Sequence, residues 1–197
     1  MADKIDELAH KYRLKFEESV RAERDYKRKS EKNEKYYYGE QLTDWEKGQY
    51  KRKGRAPIVV NEIQPAVDRL LGEEEMSNFQ WEVAPVEKND EKMSQGFENL
   101  LRTVRRKGQL QYAASDMDKD GVITGRGIME IYADKGVEDD EITIKYRHVP
   151  WDEFWIEKNC RHYDIARNAK YVFRAKWVSK EQAKKMFPES EKKIEHL

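Results

Sequence analysis

The sequence predicts an α+β fold in which long N-terminal helices pack with a small, mostly antiparallel sheet. Apolar residues recur at three- and four-residue steps through the first 20 positions, the spacing of a helix face. Runs rich in β-branched and aromatic residues at 79–83, 128–133 and 141–148 read as strands. Charged residues make up 40% of the chain and apolar ones 38%, so the core of this fold is thin and a partner surface is expected to supply the rest. A length of 197 residues fits one domain or part of one.

Balanced charge removes the simplest functional classes. Lys plus Arg and Asp plus Glu both number 39, and a net charge of zero gives no overall attraction to nucleic acid or anionic membrane. One cysteine, Cys160, rules out an internal disulfide framework and is compatible with a reducing cytoplasm. No run approaches the roughly 20 apolar residues of a spanning helix. The charged N-terminus lacks the apolar core of a signal peptide, so neither export nor membrane insertion is expected.

In chain order, Ile5, Leu8, Ala9, Tyr12, Phe16, Ser19 and Val20 mark a helix with Asp3 placed to cap its first turn. From Arg21 to Lys35 the stripe thins to Ala22 and Tyr26 while charges of both signs alternate, as on a solvated helix laced by i to i+4 pairs. A frayed charged tail over residues 1–30 is the alternative. Gly39 and Gly48 punctuate the turns that follow. Lys51, Arg52, Lys53 and Arg55 form a basic cluster near Trp45 and Tyr50, the combination that phosphates and stacked bases attract. Against DNA contact stand Glu40, Asp44 and Glu46 just upstream, and the commonness of basic links on ordinary surfaces.

Ile58–Val60 reads as a short buried extension, and Asn61 as the cap of a helix from Glu62 to about Glu75, with Gln64 at the box position and Pro65 in the first turn. Ile63, Val67, Leu70 and Leu71 share its face, and Phe79, Trp81 and Val83 alternate along a strand. Met93, Phe97, Leu100, Leu101 and Val104 mark the next helix, whose end at Arg105, Arg106 and Lys107 suits the helix dipole. Another runs from Gln109 to about Thr124 with Leu110, Ala113, Ala114 and Met117 inward, and Gly125 and Gly127 turn it into the strand 128–133. That strand and 141–148 make a hairpin across a charged loop, with Ile142, Ile144 and Tyr146 on one face. An aromatic step at 149–156, a strand carrying Val172, Phe173 and Trp177, and a helix capped by Ser179 with Gln182 complete the reading.

Chemical motifs are absent or incomplete. Asp116, Asp118, Asp120 and Gly121 imitate the start of an EF-hand loop, but its twelfth position falls on Gly127, and a glutamate there must supply two of the oxygens. A helix with a solvated acidic face is the plainer reading, in which Gly121 costs about 1 kcal/mol. His10, His148, His162 and His196 are scattered, and Cys160 with His162 offers two metal ligands without a second pair. Without a nucleophile elbow, P-loop or paired-His motif, no catalytic, cofactor or metal residue is nominated and no enzyme activity is expected.

One ordered pattern remains. Tyr36, Tyr37, Tyr38, Trp45, Gln49, Tyr50, Arg55, Asn61, Pro65 and Val67 resemble the start of the portal proteins of short-tailed (podovirus-type) bacteriophages. The likeness continues through Pro150, Trp151, Asp152, Asp164, Ala166, Arg167, Ser179, Phe187 and Pro188, and covers most of residues 30–190. It implies a long charged helix over 1–38, a wing-like α+β domain over 39–190 and a truncated end at 191–197. Members of the family are several times longer, so the resemblance makes this chain an N-terminal portion without the stem, the clip and the C-terminal part.

The function so implied is structural: a subunit of a ring, twelve copies in the family, at one capsid vertex. The ring is the channel for packaging and ejection of double-stranded DNA and a platform for head-tail assembly. Implied partners are further copies of the chain, the major capsid protein, the duplex in the channel, and terminase and tail adaptor through regions absent here. No cofactor and no membrane are implied. The expected location is the virion, assembled in the bacterial host cytoplasm. Trp45, Trp151, Phe154 and Trp155 become candidates for subunit or capsid contact, with the domain's own core as the alternative. The rival class is a standalone nucleic-acid-binding module using Lys51, Arg52, Lys53 and Arg55.

Overall fold

A computed structural model describes residues 2–77, 82–87, 90–135, 142–160, 162, 164–190 and 194. The chain divides into two compact units, Met1–Ala22 with Glu153–Leu197, and Glu23–Asp152. Helix α1 (Ala2–Tyr37) contributes its first part to one and its second to the other.

In the unit 23–152, α1 does not lose its inward stripe. Glu23, Ser30 and Tyr37 are buried and Tyr26 is half-buried, at the alternating three- and four-residue spacing of one helix face. The face is polar, which is why an apolar periodicity misses it. Gly39, at φ 80°, carries the chain out of α1. Helix α2 (Asp44–Arg52) follows, capped by a reciprocal box between Thr43 and Glu46. Gly48 therefore lies inside a helix rather than at a turn. Ile58 and Val60 are exposed, not a buried extension.

Helix α3 (Ile63–Ser77) starts where Asn61 predicts. The Asn61 Oδ1 accepts from the backbone N–H of Ile63 and Gln64 at 3.2 and 3.4 Å, and its Nδ2 donates to the Tyr37 carbonyl at 2.7 Å. One side chain thus caps α3 and ties it to the end of α1. Asn61→Ala is expected to cost about 1–2 kcal/mol in chemical denaturation, more than a cap alone, because the Tyr37 carbonyl loses its donor too. An unchanged midpoint would refute this. The strand expected at Phe79 and Trp81 lies outside the described residues.

Helices α4 (Glu91–Lys107) and α5 (Leu110–Thr124) meet at a corner where Gln109 adopts φ 57°. Strands β1 (Met129–Lys135) and β2 (Ile142–His148) form the expected antiparallel hairpin, with Ile131 opposite Tyr146 and Ala133 opposite Ile144. A Cβ on Gly108 would sit 2.6 Å from the Ile144 carbonyl oxygen and 2.7 Å from the Tyr146 ring, so a residue without a side chain lets the corner lie against β2. The far face of the hairpin is charged, with Arg147–Glu130 at 2.7 Å and Lys145–Asp134 at 2.9 Å.

The other unit is built around aromatic rings. Strands β3 (Phe154–Ile156) and β4 (Val172–Arg174) pair antiparallel, separated by the single-turn helix α6 (Ile165–Asn168), which Asp164 caps. Phe16 of α1 meets Trp155 and Phe173 edge-on at 5.3 and 5.5 Å between ring centres. Helix α7 (Lys180–Met186) carries the expected Ser179–Gln182 capping box. Trp177 falls beyond β4 and is 99% exposed, so the strand is shorter than the sequence suggests.

Candidate assembly surface

The chain leaves far more surface in water than its mass requires. Its accessible area is 16782 Å². A folded monomer of 23.6 kDa exposes about 9,800 Å², and two separate units dividing that mass by residue count about 12,000 Å². Large apolar side chains contribute to the exposed surface. Met93, Phe97 and Leu100 of α4 and Ile63 and Leu70 of α3 are exposed while Leu101, Val104, Val67 and Leu71 are half-buried, so each stripe read as core-facing is covered only in part.

One part of this surface is concave. A groove of about 460 Å³ runs between α3, α5 and the hairpin, floored by apolar side chains such as Leu71, Met117, Met129 and Ile131. Ile131 is 65% exposed, and Ile142 and Ile144 extend the same sheet face beyond it. Glu74, Glu75 and Asp118 line the groove with Arg105, three carboxylates against one guanidinium. Glu75 accepts from the Ser115 hydroxyl at 2.8 Å. Burial, and then the Glu74 carboxylate, push the Asp118 carboxyl above its usual range.

The basic cluster lies on the opposite kind of surface. Lys51 and Arg52 end α2, Lys53 and Arg55 follow it, and all four are exposed. None of them pairs with an acid among the described residues. Trp45, seven residues before Arg52 on the same helix face, is 73% exposed. The other aromatic candidates are placed differently. Trp151 is half-buried under the Lys27 ammonium, 5.6 Å from its ring centre; Trp155 belongs to the ring cluster with Phe16; and Phe154 is half-buried in β3. Trp45 and Trp151 belong to the unit 23–152, and Phe154 and Trp155 to the other.

A polar cluster that no spacing rule reveals holds the second part of α1. Arg126 donates to Glu23 Oε1 at 2.9 Å and stacks 4.0 Å from the Tyr26 ring centre. The Tyr26 hydroxyl bonds the Thr124 hydroxyl at 3.1 Å, and Asn33 Nδ2 donates to the Ile123 carbonyl at 3.0 Å. Nearby, Asp120 Oδ2 takes the His148 Nε2 at 2.8 Å and the Trp151 backbone N–H at 3.2 Å. Burial, then the carboxylates of Asp120 and Asp152, hold the Glu34 carboxyl above its usual range.

Lys27 donates to the Trp151 carbonyl, and burial pulls its ammonium down to about 8 against the opposing pull of Glu23 and Asp152. From pH 8 to 10.5 the folded protein has released this proton and the unfolded chain has not, so stability from this site rises across that window. Tyr37 acts in the opposite sense. Its hydroxyl donates to Asp68 at 2.6 Å, a bond that, with burial, raises it to about 12, so its contribution is present below pH 10 and lost between 10 and 12. Lys27→Met is expected to flatten the rise above pH 8 in a pH series of urea melts. An unaltered profile would discount the burial.

The acidic run in α5 is helical, and its carboxylates diverge: Asp116 is exposed, Asp118 lines the groove and Asp120 holds His148. His162 Nδ1 accepts from Asp164 N at 3.0 Å and lies 3.0 Å from Asn168 Nδ2. Among the described residues, no group of three or more His, Cys, Asp or Glu is arranged to hold a metal ion, and no helix is long and apolar enough to cross a membrane.

Known proteins share this sequence pattern. The family model for Phage P22-like portal proteins matches residues 13–196. The portal protein of Helicobacter pylori bacteriophage KHP30 is 26% identical over 160 residues, which make up 79% of this chain and 26% of that protein. The chain therefore spans about a quarter of the length of the curated relative it matches.

Proposed function

The chain belongs to the Phage P22-like portal protein family, and from that premise we propose that it is a structural subunit of the portal ring at a capsid vertex. The ring is the channel through which double-stranded DNA is packaged and ejected, and the platform on which head and tail join. The family is structural rather than enzymatic, and the role needs no cofactor. The location that follows is the virion, after assembly in the host cytoplasm.

The large apolar side chains left exposed on α3, α4 and the hairpin carry this reading. A unit that leaves large apolar side chains such as Met93, Phe97 and Leu100 in water gains further stability from neighbours, and side-by-side copies in a closed ring give every copy the same two neighbours. Net charge zero fits a duplex in transit, because each neutralised phosphate adds affinity that a sliding strand must then overcome. The partners are other copies of the chain and the major capsid protein, with terminase and tail adaptor meeting parts of the relatives' length that this chain does not span.

Native mass spectrometry and electron microscopy of the intact protein test the reading. The expected result is a closed ring of uniform copy number, with duplex affinity no tighter than the roughly 10⁻⁴–10⁻⁶ M of non-specific binding at physiological salt. A monodisperse monomer at every concentration, or tight salt-sensitive DNA binding by that monomer through Lys51, Arg52, Lys53 and Arg55, would favour a nucleic-acid-binding module instead.

A further inference from the structure

We infer that the face of α2 shared by Trp45 and Arg52, with the basic residues that end and follow the helix, docks on one copy into the acid-lined apolar groove of the neighbouring copy, making the two surfaces halves of one head-to-tail contact. The inference rests on the ring reading above and assigns residues to its interface.

Charge complementarity argues for the pairing. The groove presents Glu74, Glu75 and Asp118 against Arg105, while Lys51, Arg52, Lys53 and Arg55 carry four positive charges within five residues. Asp118 has no ion pair among the described residues, and burial followed by the neighbouring Glu74 carboxylate raises its pKa. Apolar surface matches as well. The groove floor is apolar and Ile131 at its edge is open; Trp45 stands exposed on the face it shares with Arg52, the aromatic-plus-arginine pair that anchors many interfaces. A volume of about 460 Å³ lies at the lower end of the roughly 300–1,000 Å³ of sites that engulf a small molecule, and suits a large side chain.

The two surfaces are different patches of one unit, and no α2 residue lines the groove of its own chain. On the ring reading the partner is another copy, and the contact is then heterologous. Heterologous contacts propagate from copy to copy and close into rings when the rotation permits, whereas a self-complementary patch stops at a dimer. The same basic residues could instead hold DNA phosphates, and the test separates the two.

Sedimentation velocity of the intact protein over a concentration series, with circular dichroism to confirm folding, provides it. Glu75→Lys/Asp118→Lys reverses the groove, Arg52→Glu/Lys53→Glu reverses the knob, and a third variant combines both. Each reversal alone is expected to weaken self-association about tenfold, and the combination to regain most of that loss. Trp45→Ala, which alters no charge, is expected to weaken it similarly. The inference is overturned if the reversals leave association unchanged, or if the combination is no better than either half. It is also overturned if the knob reversal removes salt-dependent binding of a short duplex while self-association persists. Wild-type protein that never associates sinks the ring reading together with this contact; wild-type rings indifferent to the variants sink this contact alone.

Discussion

Gly127→Ala is expected to destabilise the unit 23–152 by about 3 kcal/mol, the upper range for forcing one extra carbon into a packed site. The new Cβ would lie 2.3 Å from the Met117 carbonyl oxygen, 2.8 Å from its Cγ and 3.1 Å from its carbonyl carbon. A flexible side chain could swing aside; the carbonyl cannot, because Met117 is held inside α5. Relief therefore requires the start of the hairpin to move off the helix. Gly48→Ala supplies the opposite case. That glycine lies within α2 with nothing in 4 Å of its added Cβ, so alanine there should gain up to about 1 kcal/mol through helix propensity. Guanidinium melts of the two variants should shift in opposite directions, and a shared direction would show that the approach of Gly127 to Met117 is looser than described.

Arg126→Met should cost a comparable 3 kcal/mol or more. Arg126 and Glu23 are 23% and 10% exposed, and the second oxygen of Glu23 is buried without a hydrogen-bond partner. Removing the guanidinium strands a carboxylate away from water, typically a loss of about 3–5 kcal/mol, and the neighbouring Lys27 offsets only part of it. The loss belongs to the abandoned charge rather than to the bond. Glu23→Gln/Arg126→Met, which withdraws both charges, should therefore recover most of the stability, and a double variant as weak as the single one would contradict the explanation.

Local rules carried well where the responsible residues are neighbours in sequence. The caps at Asn61 and Ser179, the hairpin and the turn at Gly125 each depend on atoms a few residues apart. Helix α2 had the same kind of signal in Thr43 and Glu46, which the weight given to Gly48 obscured. Long-range polar contacts were not legible: Glu23 and Arg126 are 103 residues apart, and Asp120 and His148 28. Nor could periodicity say whether an apolar stripe is covered. Met93, Phe97 and Leu100 have the spacing of a buried face and stand open, because covering them depends on a surface that the spacing does not contain.

The second part of α1 is held by a ladder of unlike bonds: carboxylate to guanidinium at Glu23, hydroxyl to hydroxyl at Tyr26, amide to carbonyl at Asn33. Hydrocarbon tolerates slippage, since one methyl replaces another at small cost. These partners do not interchange, and sliding the helix by one turn, about 5.4 Å, would break all three together. A displacement of that size therefore costs all three bonds at once.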